Sequence, residues 1–511
     1  MTTPRTDPER IPVVVASGQA LERDDLVNPV DLMARAAGSA LADVPRLRER
    51  IELLSVVAVM TRVGPAPASE LAGRLGLRGD VRREVSTVGG NTPQWLVNRA
   101  ASAIAAGELS ATVIAGAEAI RSSRARRSRE LPRDEGRGDL PADPVVGDDA
   151  PGFGPAEQAA TLLAPLHVYA LFESVLASRA GHDADTHRRA LGELLAPFTT
   201  VAAGNPWAWF PVARSATDIA VPTPENRIVS EPYTKRMAAF LGSDQAAALV
   251  VCSLAEATRA GVADRAVFVW AGAEAVDVRF VTARPDPGRS PAIEAAASAL
   301  FGSATSAAGR PVGIDDLDLL DLYSCFPSAV QMAAAALGLA TDDARGLTVT
   351  GGLPYFGGPG NNYTTHAIAT VCDRLREADG AGTRLGMATG LGWFVTKHAL
   401  GVYGSTPPPA GFHRGDSSAA QAAIDGSAVD VAPSLAASET ATVVAATVWR
   451  DHDGAAAGAP VIVRLADGRH LAASAADDGV LAATGATDVP GLVGAPVVVQ
   501  AGEPRYRLAE R

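Results

Sequence analysis

The chain has few cysteines, a deficit of basic charge and no long uninterrupted apolar run. Its 511 residues include three cysteines, Cys252, Cys325 and Cys372. An odd number at wide spacing gives neither a disulfide framework nor a zinc ribbon and fits a reducing compartment. Lysine and arginine total 45 against 57 acidic residues, a net charge of −12. That removes general electrostatic support for a nucleic-acid role. No apolar run reaches membrane-spanning length without a charge or turn residue, so no membrane span is expected. The first ten residues are polar and carry no signal-sequence pattern, which points to a cytoplasmic protein. His167, His182 and His187 share a helical stretch but have no acidic partner at a metal-binding spacing, so no metal is expected.

What is present is a 47% apolar, 20% charged composition, ordinary for a soluble globular chain with length for about three or four domains. The pattern turns on residues 351–366, a glycine- and proline-rich loop that runs into a helical segment. Its glycines let a backbone approach something closely, and the helix start behind them offers unpaired N–H groups. A second copy, Val88-Gly89-Gly90-Asn91-Thr92-Pro93, lies about 270 residues earlier and also opens an apolar helix. Each helix is followed by a small-residue strand, residues 111–117 and 385–391. The repeat predicts two similar halves whose loops converge on one site.

Short β-branched runs at 11–16, 51–60 and 82–87 alternate with helical patterns at 31–41 and 67–77, which argues a layered α/β sheet. Residues 121–154 read as an exposed, charged excursion opened by the arginine run 121–129. Residues 158–197 read as helical, 230–241 as an amphipathic helix and 244–252 as a buried strand. Strands at 266–271 and 385–391, a strand and turn at 317–326, helices at 293–301 and 327–337, and the loop and helix that begin at 351 make up the second half. Residues 407–438 read as a linker, and four β-rich runs between 440 and 507 as a small β-barrel.

These landmarks resemble the thiolase superfamily, especially sterol-carrier-type thiolases. Residues 107–118 are similar to the strand after the nucleophile helix, and 244–253 to the strand closing the N-terminal half. Asp321-Leu-Tyr-Ser-Cys-Phe326 takes the place of the "HDCF" or "NEAF" loop. Gly357-Gly358-Pro359 takes that of "GHP", and 386–392 that of the "CxG" loop. The extra β-domain resembles that of mycobacterial thiolase-like proteins of type 1, related to acetyl-CoA acetyltransferases. The resemblance implies a five-layered αβαβα fold built from two halves plus a C-terminal OB-like barrel. Its boundaries are 1–120 with 239–264 for the first half, 121–238 for a loop domain that holds coenzyme A, 265–406 for the second half, 407–438 for the linker and 439–511 for the barrel. It further implies a coenzyme A ester as substrate or ligand, no tightly bound cofactor, and a monomer or homodimer.

The family's chemistry uses a low-pKa cysteine at a helix start, a histidine, an Asn or His in an oxyanion hole, and a second cysteine. Here Gly90 stands at the nucleophile position, Gly358 replaces the histidine, Ala388 the second cysteine, and Tyr323 the Asn or His. A glycine carries no acyl group. Catalytic candidates are therefore Tyr323 and His366, with Cys325 as an alternative nucleophile. Asn91, Tyr355, Asn361 and Tyr363 are candidate pocket-lining residues, and Arg121 and Arg124 could hold a nucleotide phosphate. The reading is an acyl-CoA-acting, thiolase-like protein of lipid or sterol metabolism without the usual cysteine. The alternatives are a retro-aldol carbon–carbon lyase acting on a β-hydroxyacyl-CoA and a non-catalytic acyl-CoA-binding scaffold.

Overall fold

A computed structural model describes residues 7–377 and 382–509. Strand β1 (Pro12–Leu21), helix α1 (Pro29–Asp43), β2 (Leu53–Val56), α2 (Pro67–Leu75) and β3 (Arg82–Ser86) lead to α3 (Thr92–Ala106) and β4 (Ala111–Ala119). A long excursion follows: α4 (Ile120–Ser128), β5 (Val145–Val146), α5 (Pro155–Ala159), α6 (Pro165–Arg179), α7 (Ala184–Ala203), α8 (Ala216–Ala220) and the hairpin β6 (Ile228–Ser230) and β7 (Tyr233–Thr234). β8 (Asp244–Ser253) and α9 (Leu254–Ala260) close the first half. The second half runs β9 (Val267–Val276), α10 (Pro291–Ala308), β10 (Leu319–Asp321), α11 (Pro327–Leu337), α12 (Tyr363–Arg376), β11 (Leu385–Gly392) and β12 (Lys397–Gly404).

The first sheet has the order β3–β2–β4–β8–β1 and the second β10–β11–β12–β9. They join through Val13 and Val14 of β1, which pair with Phe268 and Val267 of β9. Helices α3 and α12 pack on strands of both sheets and on each other, α1 and α2 lie against strands of the first sheet, and α10 lies on β9 and β12 with α11 against it. The result is a five-layered αβαβα sandwich. β4 and β8 are buried at every position, as expected for strands covered by helices on both faces. Their alanines and glycines let the central helices come close: a Cβ on Gly116 would overlap the Asn362 amide.

The excursion departs from the sequence pattern in places. The arginine run forms helix α4, whose start is pinned by buried Asp244, which accepts from Ser122 N (3.1 Å), Ser122 Oγ (2.6 Å) and Arg121 Nε (3.0 Å). Residues 230–241, expected as a helix, instead carry the β6–β7 hairpin and a 3-10 turn at Lys235–Met237. Pro232 cannot donate to a helix, and Tyr233 is drawn inward, its hydroxyl on Glu173 Oε2 at 2.6 Å. The helical stretch 158–197 breaks between α6 and α7, where Gly181 takes a φ of 68°, and the strand expected over 51–60 ends at Val56.

Beyond β12, β13 (His413–Arg414) pairs with β9, and α13 (Ser418–Asp425) sends Gln421 to both the N–H and the carbonyl of Val276. Residues 407–438, expected as a linker, are thus strapped to the second half. Next come β14 (Glu439–Ala446), β15 (Trp449–Arg450), β16 (Ala456–Gly458), β17 (Val461–Arg464), β18 (His470–Ala475), α14 (Asp478–Gly485), β19 (Pro496–Val499) and β20 (Arg505–Leu508). β14–β17–β18–β20–β19 close into a barrel with its own apolar core. The β15–β16 hairpin leaves that barrel and pairs with β6.

Candidate functional site

The two glycine corners meet between the sheets. Gly89 N–H donates to Asn361 Oδ1 (3.0 Å), and Thr364 Oγ1 donates to the Gly90 carbonyl (2.8 Å). Gly89 takes a φ of 150°, which only glycine adopts readily. Gly90 does not, so its lack of a side chain answers to space. A Cβ there would overlap the Tyr323 hydroxyl and lie 2.6 Å from the Leu391 carbonyl oxygen. The phenol of Tyr323 therefore fills the volume that a side chain at position 90 would need.

Tyr323 is held by its backbone N–H, which donates to Thr389 Oγ1 (2.8 Å), and by its ring, edge-on to Tyr363 at 5.5 Å. Burial, with the Cys325 sulfur nearby, raises its pKa above the ordinary phenol value. It is a proton-bearing donor at neutral pH. Cys325 is also buried, and desolvation pushes its thiol up to about 12. It is a thiol where a nucleophile would be a thiolate.

The other candidates scatter. Gly358 donates its N–H to Phe240 O (2.8 Å), and a Cβ there would face Leu241 and Leu353 rather than Gly90 or Tyr323. Ala388 is buried in β11 opposite Asp321 and Gly401. Gly390, two residues on, is what abuts the first loop, where a Cβ would lie 2.8 Å from the Asn91 Cα. Tyr363 turns its hydroxyl to Thr350 Oγ1 (2.5 Å) and Asp321 Oδ1 (3.1 Å). Tyr355 is buried with its hydroxyl unpartnered, and its backbone carbonyl accepts from Phe210 N. His366 points at β1: Nδ1 meets Gln19 Oε1 at 2.7 Å, the ring stands edge-on to Phe356, and burial lowers its pKa to about 3. Asn361 bridges Gly89 N and Ala58 O. Asn91 lines a cleft with Lys397 and Trp95 that does not include Tyr323.

Arg121 is committed to Asp244 and to the carbonyls of Asp24 and Asp25. Arg124 lines a surface cleft of about 740 Å³ with Arg62, Arg126, Arg127 and Arg133. Asp134 pairs with Arg126, and Glu135 with Arg62 and Arg133. Leu241, on the wall of that cleft, is also a neighbour of Gly358.

Sequence reasoning missed Tyr169 and Lys397. Tyr169 donates to Trp393 O (2.9 Å) and accepts from Val395 N (3.4 Å). It thereby clamps a turn whose Trp393 and Val395 both have positive φ, 57° and 53°, uncommon for a β-branched residue. Nothing in the local pattern marks Tyr169, which lies in the apolar run of α6. Lys397 did carry a signal: it is one of two lysines, with Lys235, among 45 basic residues.

No protein-family model matches the chain, and no curated protein sequence does. Among solved structures it is similar to a monomeric SCP2-thiolase-like protein type 1 from Mycobacterium smegmatis, at 30% identity and a TM-score of 0.81, over 99% of this chain and 100% of that one. It shares the fold of an Ltp2–ChsH2(DUF35) aldolase (18% identity, TM-score 0.57, covering 77% of this chain and 98% of that one). The same holds for human mitochondrial 3-ketoacyl-CoA thiolase (15%, 0.54, 78% and 100%). With two glycine corners meeting between two sheets and a barrel joined in the same chain, the protein belongs to the SCP2-thiolase-like family of the thiolase superfamily.

Proposed function

We propose that this protein binds a coenzyme A thioester and acts on it without an acyl-enzyme, using the Tyr323 hydroxyl as a hydrogen-bond or proton donor to the thioester oxygen. One observation carries the reading: the phenol occupies the space in which a nucleophile at position 90 would stand. A raised-pKa phenol keeps its proton and is suited to donating to an oxygen that gains charge. Arg124 and Arg127 form no ion pair among the described residues and line the arginine-rich cleft, a reading consistent with a site for the phosphates of the coenzyme. In this reading the acyl arm enters past Leu241, which stands on the wall of that cleft and beside Gly358.

A second reading, retro-aldol cleavage of a β-hydroxyacyl-CoA, is favoured by the same phenol together with a barrel held in the same chain; a fold neighbour is an aldolase with a DUF35 component. One set of incubations separates the readings. With acetoacetyl-CoA and CoA, intact-mass analysis is expected to find no acyl adduct. With a β-hydroxyacyl-CoA, release of a ketone or aldehyde that Tyr323→Phe lowers at least tenfold would establish the lyase. An acetyl group on Cys325 would overturn the non-covalent mechanism. Coenzyme binding with neither turnover would leave a binding protein. CoA affinity that falls severalfold in Arg124→Met/Arg127→Met, and weakens with added salt, is the expected outcome for the cleft.

A further inference from the structure

Nine large apolar side chains stand exposed among the described residues, and three of them line one cleft, the arginine-rich one beside α4. They are Met60 at 55%, Leu131 at 43% and Leu241 at 36% exposure. Apolar groups scattered singly over a surface need no explanation, but several gathered in one concavity mark a face that another molecule covers. The phosphates of a nucleotide gain nothing from them, whereas the apolar side of a protein helix does. Methionine and arginine are also among the residues enriched in protein interfaces.

The charge of the cleft is opposite to that of the chain. Arg62, Arg124, Arg126, Arg127 and Arg133 line it against Glu130, Asp134 and Glu135, a formal surplus of two positive charges on a protein of net −12. Glu118 is not part of the lining; its carboxylate accepts from the N–H groups of Met60 and Thr61. Arg124 and Arg127 lie three residues apart on one side of α4. Arg62 and Arg133 share Glu135 at 3.4 and 3.6 Å, and Arg126 meets Asp134 at 3.4 Å. Pairs this long at a wet surface contribute little, so an incoming carboxylate can take the arginines over. The five guanidiniums come from α4, the loop after it and the loop after β2, a spread that suits a row of acidic side chains. An acidic partner is repelled by the rest of the surface and drawn here, which fixes where it lands.

We infer that this cleft is the docking face for a small acidic carrier protein that presents the acyl thioester on a phosphopantetheine arm. Met60 and Leu131 meet the apolar side of a carrier helix, and Arg124 and Arg127 meet its carboxylates and the phosphate that holds the arm. The arm then follows the route past Leu241 toward Gly358. The inference rests on the thioester reading above and deepens it, by making a protein rather than free coenzyme A the donor of the thioester.

Calorimetric titration of the full-length protein with an acyl carrier protein charged with acetoacetyl-phosphopantetheine, and in parallel with acetoacetyl-CoA, tests it. One-to-one binding of the charged carrier, at least tenfold tighter than that of acetoacetyl-CoA and weakened severalfold by added salt, is expected. Met60→Ser with Leu131→Ser, which alters only exposed side chains, should lower the carrier's affinity at least tenfold. Acetoacetyl-CoA bound as tightly as the carrier would overturn the inference and leave the thioester reading standing, whereas binding of neither would overturn both. Unchanged carrier affinity in the double variant would also overturn the docking face.

Discussion

Gly90 and Tyr323 exchange volume, and that exchange is measurable. Gly90→Ala places a methyl against the Tyr323 hydroxyl and the Leu391 carbonyl; overpacking of this kind costs about 1–3 kcal/mol. In a Tyr323→Ala background the phenol contacts are gone and the carbonyl contact remains. Urea unfolding of the four proteins should therefore give a smaller penalty for Gly90→Ala in that background; equal penalties would mean that the phenol does not fill the space. His366 gives a pH prediction. Its folded pKa is lowered to about 3 by burial, while the unfolded chain keeps the ordinary value near 6.5. Between those values the unfolded state binds the extra proton, so stability is full above about pH 6.5 and is lost progressively as pH falls toward 3. A melting temperature that drops less from pH 7 to pH 5 in His366→Gln than in the unaltered protein is expected. That Tyr323 lies where the two loops meet was legible in the sequence, because its place in a motif fixes which way it faces. The direction of His366 was not, because in the first turn of a helix a side chain can point to either neighbouring sheet, and here Gln19 and Phe356 decide it.

At the scale of elements, α12 is tied to the loop before it through one buried carboxylate. Asp321 Oδ2 accepts from Thr348 Oγ1, Thr350 Oγ1 and the N–H groups of Val349 and Thr350, and Tyr363 at the start of α12 donates to Oδ1. Burial raises the Asp321 pKa, opposed by these bonds. Tyr363→Phe keeps the ring against Tyr323 but removes a donor from a buried acid, a loss of about 1–3 kcal/mol. Chemical denaturation should show it, and no change in midpoint would mean that the Thr348 and Thr350 donors suffice. The twin loop–helix–strand units were readable because glycine, proline and a helical apolar stripe are local signals. Residues 230–241 were misread because their apolar spacing suits a helix, whereas Pro232 and a distant partner strand at Trp449 impose a hairpin. No local pattern reports a partner more than two hundred residues away.

For the whole molecule, the edge of the first sheet and the seating of the barrel set the assembly. Strand β3 does not end the sheet: Val85 N and Thr87 N donate to Pro144 O and Val146 O of the β5 segment, each at 2.9 Å. An edge covered in this way offers no ladder to a second copy, so sedimentation at the mass of one 52.3 kDa chain is expected. The barrel was legible as a run of short strands, but its docking was not, since each contact joins residues far apart in sequence. Trp449 stacks on His167 at 3.8 Å with planes 4° apart, and Arg450 grips Glu231 Oε1 through Nε (3.0 Å) and Nη2 (2.9 Å). Glu231 N donates to Val448 O (2.8 Å), and His470 Nδ1 meets Thr282 O at 2.9 Å. A domain on a loose tether would melt by itself. One joined by shared strands and a half-buried aromatic stack melts with its neighbour. Calorimetry should therefore show one cooperative transition for the whole chain. Trp449→Ala with Glu231→Ala should split it into two, the earlier belonging to the barrel, whereas two separate transitions in the unaltered protein would show that the barrel folds and melts independently of the sandwich.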